Sequence, residues 1–270
     1  MRRVSCSSSG GNVLEYLVVC LTALTVSTLT LFSGFGLGTL LMPAFALFFP
    51  VEVAVAQTAL VHVMNNLFKF ALFRKRIDWP VALRFGLPAC LASLIGARLL
   101  LWLSSLPPLA SYTLGSSQFQ ITVCKVTVAV LMAGFALLET GTGLRHLAFD
   151  RRWLPAGGLL SGFFGGLSGH QGAFRSAFLV RSGLDKEAFI ATGVAIAVGI
   201  DLVRLGVYAR LLDTPAIRDN LALIATATLA AFVGAWLGRH LVKKMTLLTV
   251  QRIVAALLLL SALLLGFGIV

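Results

Sequence analysis

The sequence predicts an all-α, polytopic membrane protein of about eight transmembrane helices in two homologous halves, each with a glycine-broken or re-entrant half helix. Three observations carry this. The 270 residues are 58% hydrophobic and only 12% charged, with a mean hydropathy of +0.94, which is more apolar surface than a soluble domain of this size can bury. Apolar runs of spanning length recur along the whole chain. A glycine-rich interruption appears twice, as Ser33 to Met42 (Ser-Gly-Phe-Gly-Leu-Gly-Thr-Leu-Leu-Met) and as Leu167 to Arg175 (Leu-Ser-Gly-His-Gln-Gly-Ala-Phe-Arg). Inside hydrocarbon a broken backbone is tolerated only where protein buries it or where it lines a wet cavity, so both breaks are candidate working parts.

Taken in order, the spanning runs fall at 14–33, 53–73, 80–103, 119–139, 187–209, 217–238 and 248–269. Three pieces between them, Thr39 to Phe49, Leu154 to Phe164 and Ala173 to Val180, are too short for ordinary spans. The stretch 14–49 would be about 54 Å long as a helix, too long for one straight crossing, and a full helix followed by a half helix fits it. The amino-terminal Met1-Arg2-Arg3 precedes an apolar run too long for a signal peptide, so that run is read as the first transmembrane helix. Cys6, Cys20, Cys90 and Cys124 show neither metal spacing nor a disulfide framework and read as packing residues.

The formal charge of +12 sits mostly between apolar runs, as the positive-inside rule distributes it, rather than in a nucleic-acid-binding patch. Arg74-Lys75-Arg76, the trio Arg145, Arg151 and Arg152, and Arg210 with Arg218 alternate with a loop, 104–118, that has no lysine or arginine. Placing the charged loops inside gives eight crossings with both termini cytoplasmic, with Arg239, Lys243 and Lys244 as exceptions. The alternative, five crossings per half related as inverted repeats, leaves more positive charge outside.

The chain is one membrane domain, 1–270, with a first repeat at 12–139 and a second at 153–270. Sliding one half by 134 residues matches Gly38 with Gly172, Ala54 with Ala188 and Thr58 with Thr192. In transporters built this way the substrate sits near the midplane, where discontinuous helices of the two repeats meet.

Three polar constellations stand out. Thr58, His62, Asn65, Asn66 and Lys69 share one face of an otherwise apolar helix, which must point inward or onto a water-filled path. Lys69, one turn from a charged loop, can alternatively snorkel to the interface. Thr192 is followed by Asp201, Arg204 and Tyr208 at steps of three and four; Asp201 and Arg204 pair along that face, either as a proton carrier beside an anion-attracting cation or as a membrane-edge salt bridge. At the second break, a half helix starting near Gly172 aims its free N–H groups at the glycines, where His170, Gln171 and Arg175 gather around an oxyanion. The bland role for His170 and Gln171 is to satisfy backbone groups at the break. Arg98 reads as an interfacial anchor.

These residues resemble the sulfite exporter TauE/SafE family of membrane transporters. The features are the Gly-rich break, a short helix containing Pro43, the Ala-x-x-x-Thr entries at Ala54/Thr58 and Ala188/Thr192, and the Gly-Ala endings near Gly96 and Gly234. The resemblance implies export of small sulfur-containing anions such as sulfite, thiosulfate or organosulfonates across the bacterial inner membrane. The family's frequent triple glycine is here Gly-Phe-Gly-Leu-Gly and Gly-His-Gln-Gly.

The chain is not expected to be an enzyme, since it has no HExxH, GxSxG or Walker sequence and no paired carboxylates, and His62, His146, His170 and His240 lack metal spacing. The reading is a secondary transporter of a small sulfur-containing anion, coupled to protons through its ionisable groups. The alternatives are a membrane-embedded enzyme or accessory subunit binding a lipid or cofactor, and a passive anion channel. Substrate binding is assigned to Gly38, Thr39, Thr58, Asn65, Asn66, His170, Gln171, Gly172, Arg175 and Thr192, and proton coupling or gating to His62, Asp201 and Arg204. No cofactor or metal is expected; the partners are the anion and the lipid bilayer, not nucleic acid, with a homo-oligomer left open.

Overall fold

The computed structural model describes residues 13–30, 37–115, 117–140, 149–241 and 247–269. The readings of Arg2, Arg3, Cys6, Ser33 to Gly36, Arg145, His146, Lys243 and Lys244 lie outside the described residues, as do the side chains of Arg239 and His240. The first half runs α1 (Val13–Thr30), α2 (Gly38–Ala46), α3 (Val51–Phe73), α4 (Trp79–Ser104), a hairpin β1 (Ala110–Leu114) and β2 (Ser117–Ile121), then α5 (Val123–Thr140). The second runs α6 (Leu154–Ser168), α7 (Gly172–Leu179), α8 (Lys186–Val207), the single turns α9 (Ala209–Leu212) and α10 (Pro215–Arg218), α11 (Leu221–Leu241) and α12 (Leu247–Gly266).

Helix ends follow local chemistry. Asp78 caps α4 by accepting from the Val81 N–H at 3.0 Å, ahead of Pro80 in the first turn, and Asp185 caps α8 by accepting from Ala188 at 2.7 Å. Gly169 ends α6 in the left-handed region at φ +82°, a conformation that costs glycine nothing. Two boundaries differ from the sequence reading. The run expected from 119 starts as a helix at Val123, because Ala110–Leu114 and Ser117–Ile121, rich in Thr, Tyr and Phe, pair antiparallel about Gly115 at φ +62°. The run expected from 217 starts at Leu221, after the separate turn opened by Pro215.

Among the described residues three helices are long and apolar enough to cross a bilayer: Trp79–Ser104, Lys186–Val207 and, within α11, Leu221–Gly238. α3 is equally long, at 23 residues, but its apolarity is lowered by Gln57, His62, Asn65, Asn66 and Lys69, all buried. The outer faces match a lipid solvent. On α4, Leu83, Leu87, Leu91 and Ile95 form a stripe 52–67% exposed, at four-residue steps.

Helices pair across the chain: α4 lies along α6, α1 along α11, α5 along α12 and α3 along α8. In lipid there is little hydrophobic drive between helices, so close backbone approach has to supply the contact. Gly158, Gly162 and Gly166 of α6 press their backbone onto Phe85, Ala89 and Ser93 of α4, with Gly96 answering against Phe163, while Gly234 and Gly238 of α11 do the same against Leu24 and Thr28 of α1. At each position a Cβ would collide with a backbone carbonyl of the partner. Gly162→Val is expected to destabilise the protein by about 3 kcal/mol, the upper end of overpacking penalties. Gly134→Val on α5, where a Cβ meets nothing within 4 Å, should stay within about 0.5 kcal/mol of the parent. Thermal unfolding in detergent micelles compares the two.

Candidate functional site

The two breaks meet. Gly38, which opens α2, lies against the carbonyl of Gly169, which closes α6; a Cβ on Gly38 would stand 3.3 Å from that oxygen and 3.5 Å from the Thr58 methyl of α3. Thr39 is buried beside it, and its backbone approaches the His170 ring as a hydrogen-bonding group. Gly38, Thr39, Thr58 and His170, read separately from the sequence, therefore share one junction.

The Gly169 N–H still closes onto Gly165 O at 3.0 Å, and side chains gather on the carbonyls of this last turn of α6. Arg204 Nη1 donates to Gly165 O at 3.3 Å, the Tyr208 hydroxyl donates to Gly166 O at 2.6 Å, and His170 Nδ1 lies 3.0 Å from Ser168 O. A cation at this end also complements the negative pole of the helix. The His170 ring stacks on Phe135 of α5 at 5.5 Å with planes 6° apart, and among the described residues its Nε2 has no partner of good hydrogen-bond geometry. His170 thus performs the backbone role with one nitrogen and keeps the other. Gln171 is similarly divided: its carbonyl accepts from Ser161 Oγ at 2.8 Å, and its side chain reaches the charged cluster.

That cluster is organised by Asp201, a fully buried carboxylate on α8. Oδ2 stands 2.6 Å from His62 Nδ1 and accepts from Asn66 Nδ2 at 3.1 Å. Oδ1 accepts from Gln171 Nε2 at 3.2 Å and from Arg204 Nε at 3.0 Å. Arg204 Nη2 is 2.8 Å from the same oxygen without hydrogen-bond geometry. At 2.6 Å the His62 nitrogen must carry the proton and donate to the carboxylate, so the 3.1 Å approach of Asn66 Nδ2 to that nitrogen is not a hydrogen bond. Asp201 and Arg204 are both 0% exposed, so their pair is enclosed by protein.

Arg175 of α7, half-buried, donates from Nη1 to Gln171 Oε1 at 3.4 Å and lies within electrostatic reach of His62, Lys69 and Asp201. Lys69 is 7% exposed, packed inward rather than snorkelling. The buried network therefore sets two cations, Lys69 and Arg204, against the one carboxylate Asp201, a balance of +1 with neutral histidines, and half-buried Arg175 beside it raises the local balance to +2. Several buried polar atoms are left over: Asn65, at 0% exposure, has a partner for neither amide atom, and Thr58 Oγ1 and Gln57 Oε1 have none either. Unpaired buried polar groups are costly, and these atoms are the ones free to bond a ligand or water.

Of the residues assigned from the sequence, Thr192 stands apart from the Asp201 cluster, although its neighbour Gly193 lies against the Arg175 side chain. The Thr192 hydroxyl accepts from the Asp78 N–H at 3.0 Å, and Thr192 lies about 13 Å along the helix axis from Asp201. Arg98 is exposed, in keeping with an anchor. Sequence reading missed Ser161 and Ser168, which hold the break, and the glycine ladder of α6; the four-residue spacing of Gly158, Gly162 and Gly166 is the signal that finds the ladder. Among the described residues no group of three or more His, Cys, Asp or Glu side chains is placed to hold a metal ion.

Asp201→Asn is expected to destabilise the fold by about 3–5 kcal/mol, because it strands Arg204 without its countercharge and weakens the acceptor to which His62 donates. In a double-mutant cycle Asp201→Asn with Arg204→Gln should cost less than the two single changes together, with a coupling of about 1–3 kcal/mol measured by unfolding in micelles.

Comparison with curated proteins and with solved structures returned no match. A family model does match, over nearly the whole chain. The model of the sulfite exporter TauE/SafE family covers residues 19–265, and the chain belongs to this family of membrane transporters.

Proposed function

We propose that this chain is a proton-coupled secondary transporter that exports a small sulfur-containing anion such as sulfite, thiosulfate or an organosulfonate, bound where the two breaks meet. The observation that carries the reading is a positive balance, +1 among the buried groups and +2 with half-buried Arg175, beside orphaned polar atoms on Thr58, Asn65 and His170. Uncompensated positive charge inside a bilayer is expensive, and a small oxyanion supplies both the countercharge and the acceptors that Asn65 Nδ2 and His170 Nε2 lack. Gly38 and Gly172 keep side chains out of the way where backbone meets ligand, and the start of α7 adds its N–H groups.

In this proposal His62 carries the proton. Asp201 joins α8, through His62 and Asn66, to α3 and, through Gln171, to the second break, so a change of charge on His62 alters the hold of one half on the other. Arg204 and Arg175 then set how much positive charge faces the anion.

The proposed topology is eight crossings in the inner membrane of a bacterium with both termini cytoplasmic, built from repeats at 12–139 and 153–270. The pairings of α1 with α11 and of α4 with α6 support the repeats, because exchanging the two halves turns one pairing into the other, while α3–α8 and α5–α12 map onto themselves.

Two measurements test this. In a thermal-shift screen, sulfite, thiosulfate or a sulfonate should stabilise the purified protein by about 2.7 kcal/mol at a hundredfold excess over Kd, with sulfate, phosphate and carboxylates weaker. Asn65→Ala and His170→Ala should lose most of that shift; equal responses in parent and variants would refute the site. In proteoliposomes, an imposed pH gradient should accelerate efflux by the parent, whereas flux through His62→Gln should no longer follow the gradient. Flux through the parent that ignores the gradient would eliminate proton coupling.

A further inference from the structure

Besides the polar junction, the described residues enclose a second space of a different character. A cavity of about 480 Å³ lies between α1, α2 and α12, with Met132 of α5 at one side. Its size falls within the range of about 300–1,000 Å³ that holds small-molecule ligands. Hydrocarbon dominates its walls, and two of the hydroxyls that reach it are already committed: Thr25 donates to Leu21 O at 2.6 Å and Ser261 to Leu257 O at 2.8 Å. An anion finds neither charge nor a free donor on these two side chains. The outer lining residues Leu47, Ile253, Leu257 and Leu260 are 44–55% exposed, so the cavity opens sideways onto the apolar face of the protein.

The other half fills the corresponding place with its own side chains. Counting from the glycine that opens each half helix, Leu40 and Ala44 of α2 occupy the positions that Phe174 and Phe178 occupy in α7. Phe174 stacks on Phe164 of α6 at 5.5 Å and meets Phe135 of α5 edge-on at 5.6 Å, while Phe178 stacks on Phe149 at 4.1 Å. Leu40 and Ala44 instead line the cavity. One half helix is thus wedged by aromatic rings, and the other is backed by a void of the wrong chemistry for water and too large to leave without contacts.

We propose that the cavity between α1, α2 and α12 is a binding site for a lipid acyl chain, which enters from the bilayer and buttresses α2 as the phenylalanines buttress α7. The chain packs behind the half helix whose first residues, Gly38 and Thr39, form the junction with the second break, so it steadies one wall of that junction. The bilayer supplies this occupant at high local concentration, and the exposed leucines at the rim already face it.

The test compares the full chain with L40F/A44F, which writes the α7 residues into α2. In detergent micelles, dioleoyl phosphatidylcholine should raise the parent's unfolding midpoint by several degrees, while glycerophosphocholine, the same headgroup without chains, should not. The double variant should start from a higher midpoint than the parent and gain little from the lipid, and native mass spectrometry should show it retaining one lipid fewer. If L40F/A44F does not fold, Leu257→Phe, which approaches the same space from α12, serves the same comparison. A variant that retains and responds to lipid as the parent does overturns the site. So does stabilisation by glycerophosphocholine alone, which marks a headgroup site, or conversion of an oligomer to a monomer in the variant, which marks a second copy as the occupant.

Discussion

A single buried carboxylate holds the centre of this protein together. Asp201 sits at 0% exposure in α8 and accepts from His62 and Asn66 on α3, from Gln171 at the second break and from Arg204 on its own helix. Such a group survives in a membrane only when fully partnered, and its partners come from three separate elements. Arg204 in turn adds a second donor to Gly165 O, already bonded to the Gly169 N–H, and Tyr208 donates to Gly166 O at the end of α6. The broken helix and the ion pair are therefore joined: Arg204 ties Asp201 to the last turn of α6, and Tyr208 holds the Gly166 carbonyl beside it.

The glycine ladders do the complementary work of placing these elements. By letting α6 lie directly on α4 and α11 directly on α1, they leave α3 and α8 to face each other, and the buried polar residues concentrate between those two helices. The expense of broken backbone and buried charge is thereby confined to one region and surrounded by close-packed helices whose outer faces are leucine and isoleucine. A site that must release its ligand is easier to build this way, since the packing that stabilises the fold is separate from the groups that would meet the anion.

Much of this was legible in the sequence because membrane constraints are strong. Long apolar runs gave the helices to within a few residues, the glycine clusters gave the breaks, and the spacing of Thr58, His62, Asn65 and Asn66 gave a polar face. The pair Asp201–Arg204 followed from a three-residue step. What did not follow was tertiary. His62 and Asp201 lie 139 positions apart, and no local pattern announces their contact. Lys69 could be read as interfacial until its burial was seen, and Thr192, though aligned with Thr58, is committed to the start of α4. The hairpin at Ala110–Ile121 hid at the edge of an apolar run, where strand-forming residues and a spanning helix share the same composition.

The central claim is that the buried positive balance at the meeting of the two breaks exists to hold a small sulfur oxyanion. Isothermal titration calorimetry of the purified protein with sulfite, run in two buffers of different ionisation enthalpy, tests it most directly. The account predicts one saturable site whose apparent heat differs between the buffers, because binding moves a proton, and whose affinity falls at least tenfold in Asn65→Ala. Absence of binding, or binding that is unchanged in Asn65→Ala, would contradict it.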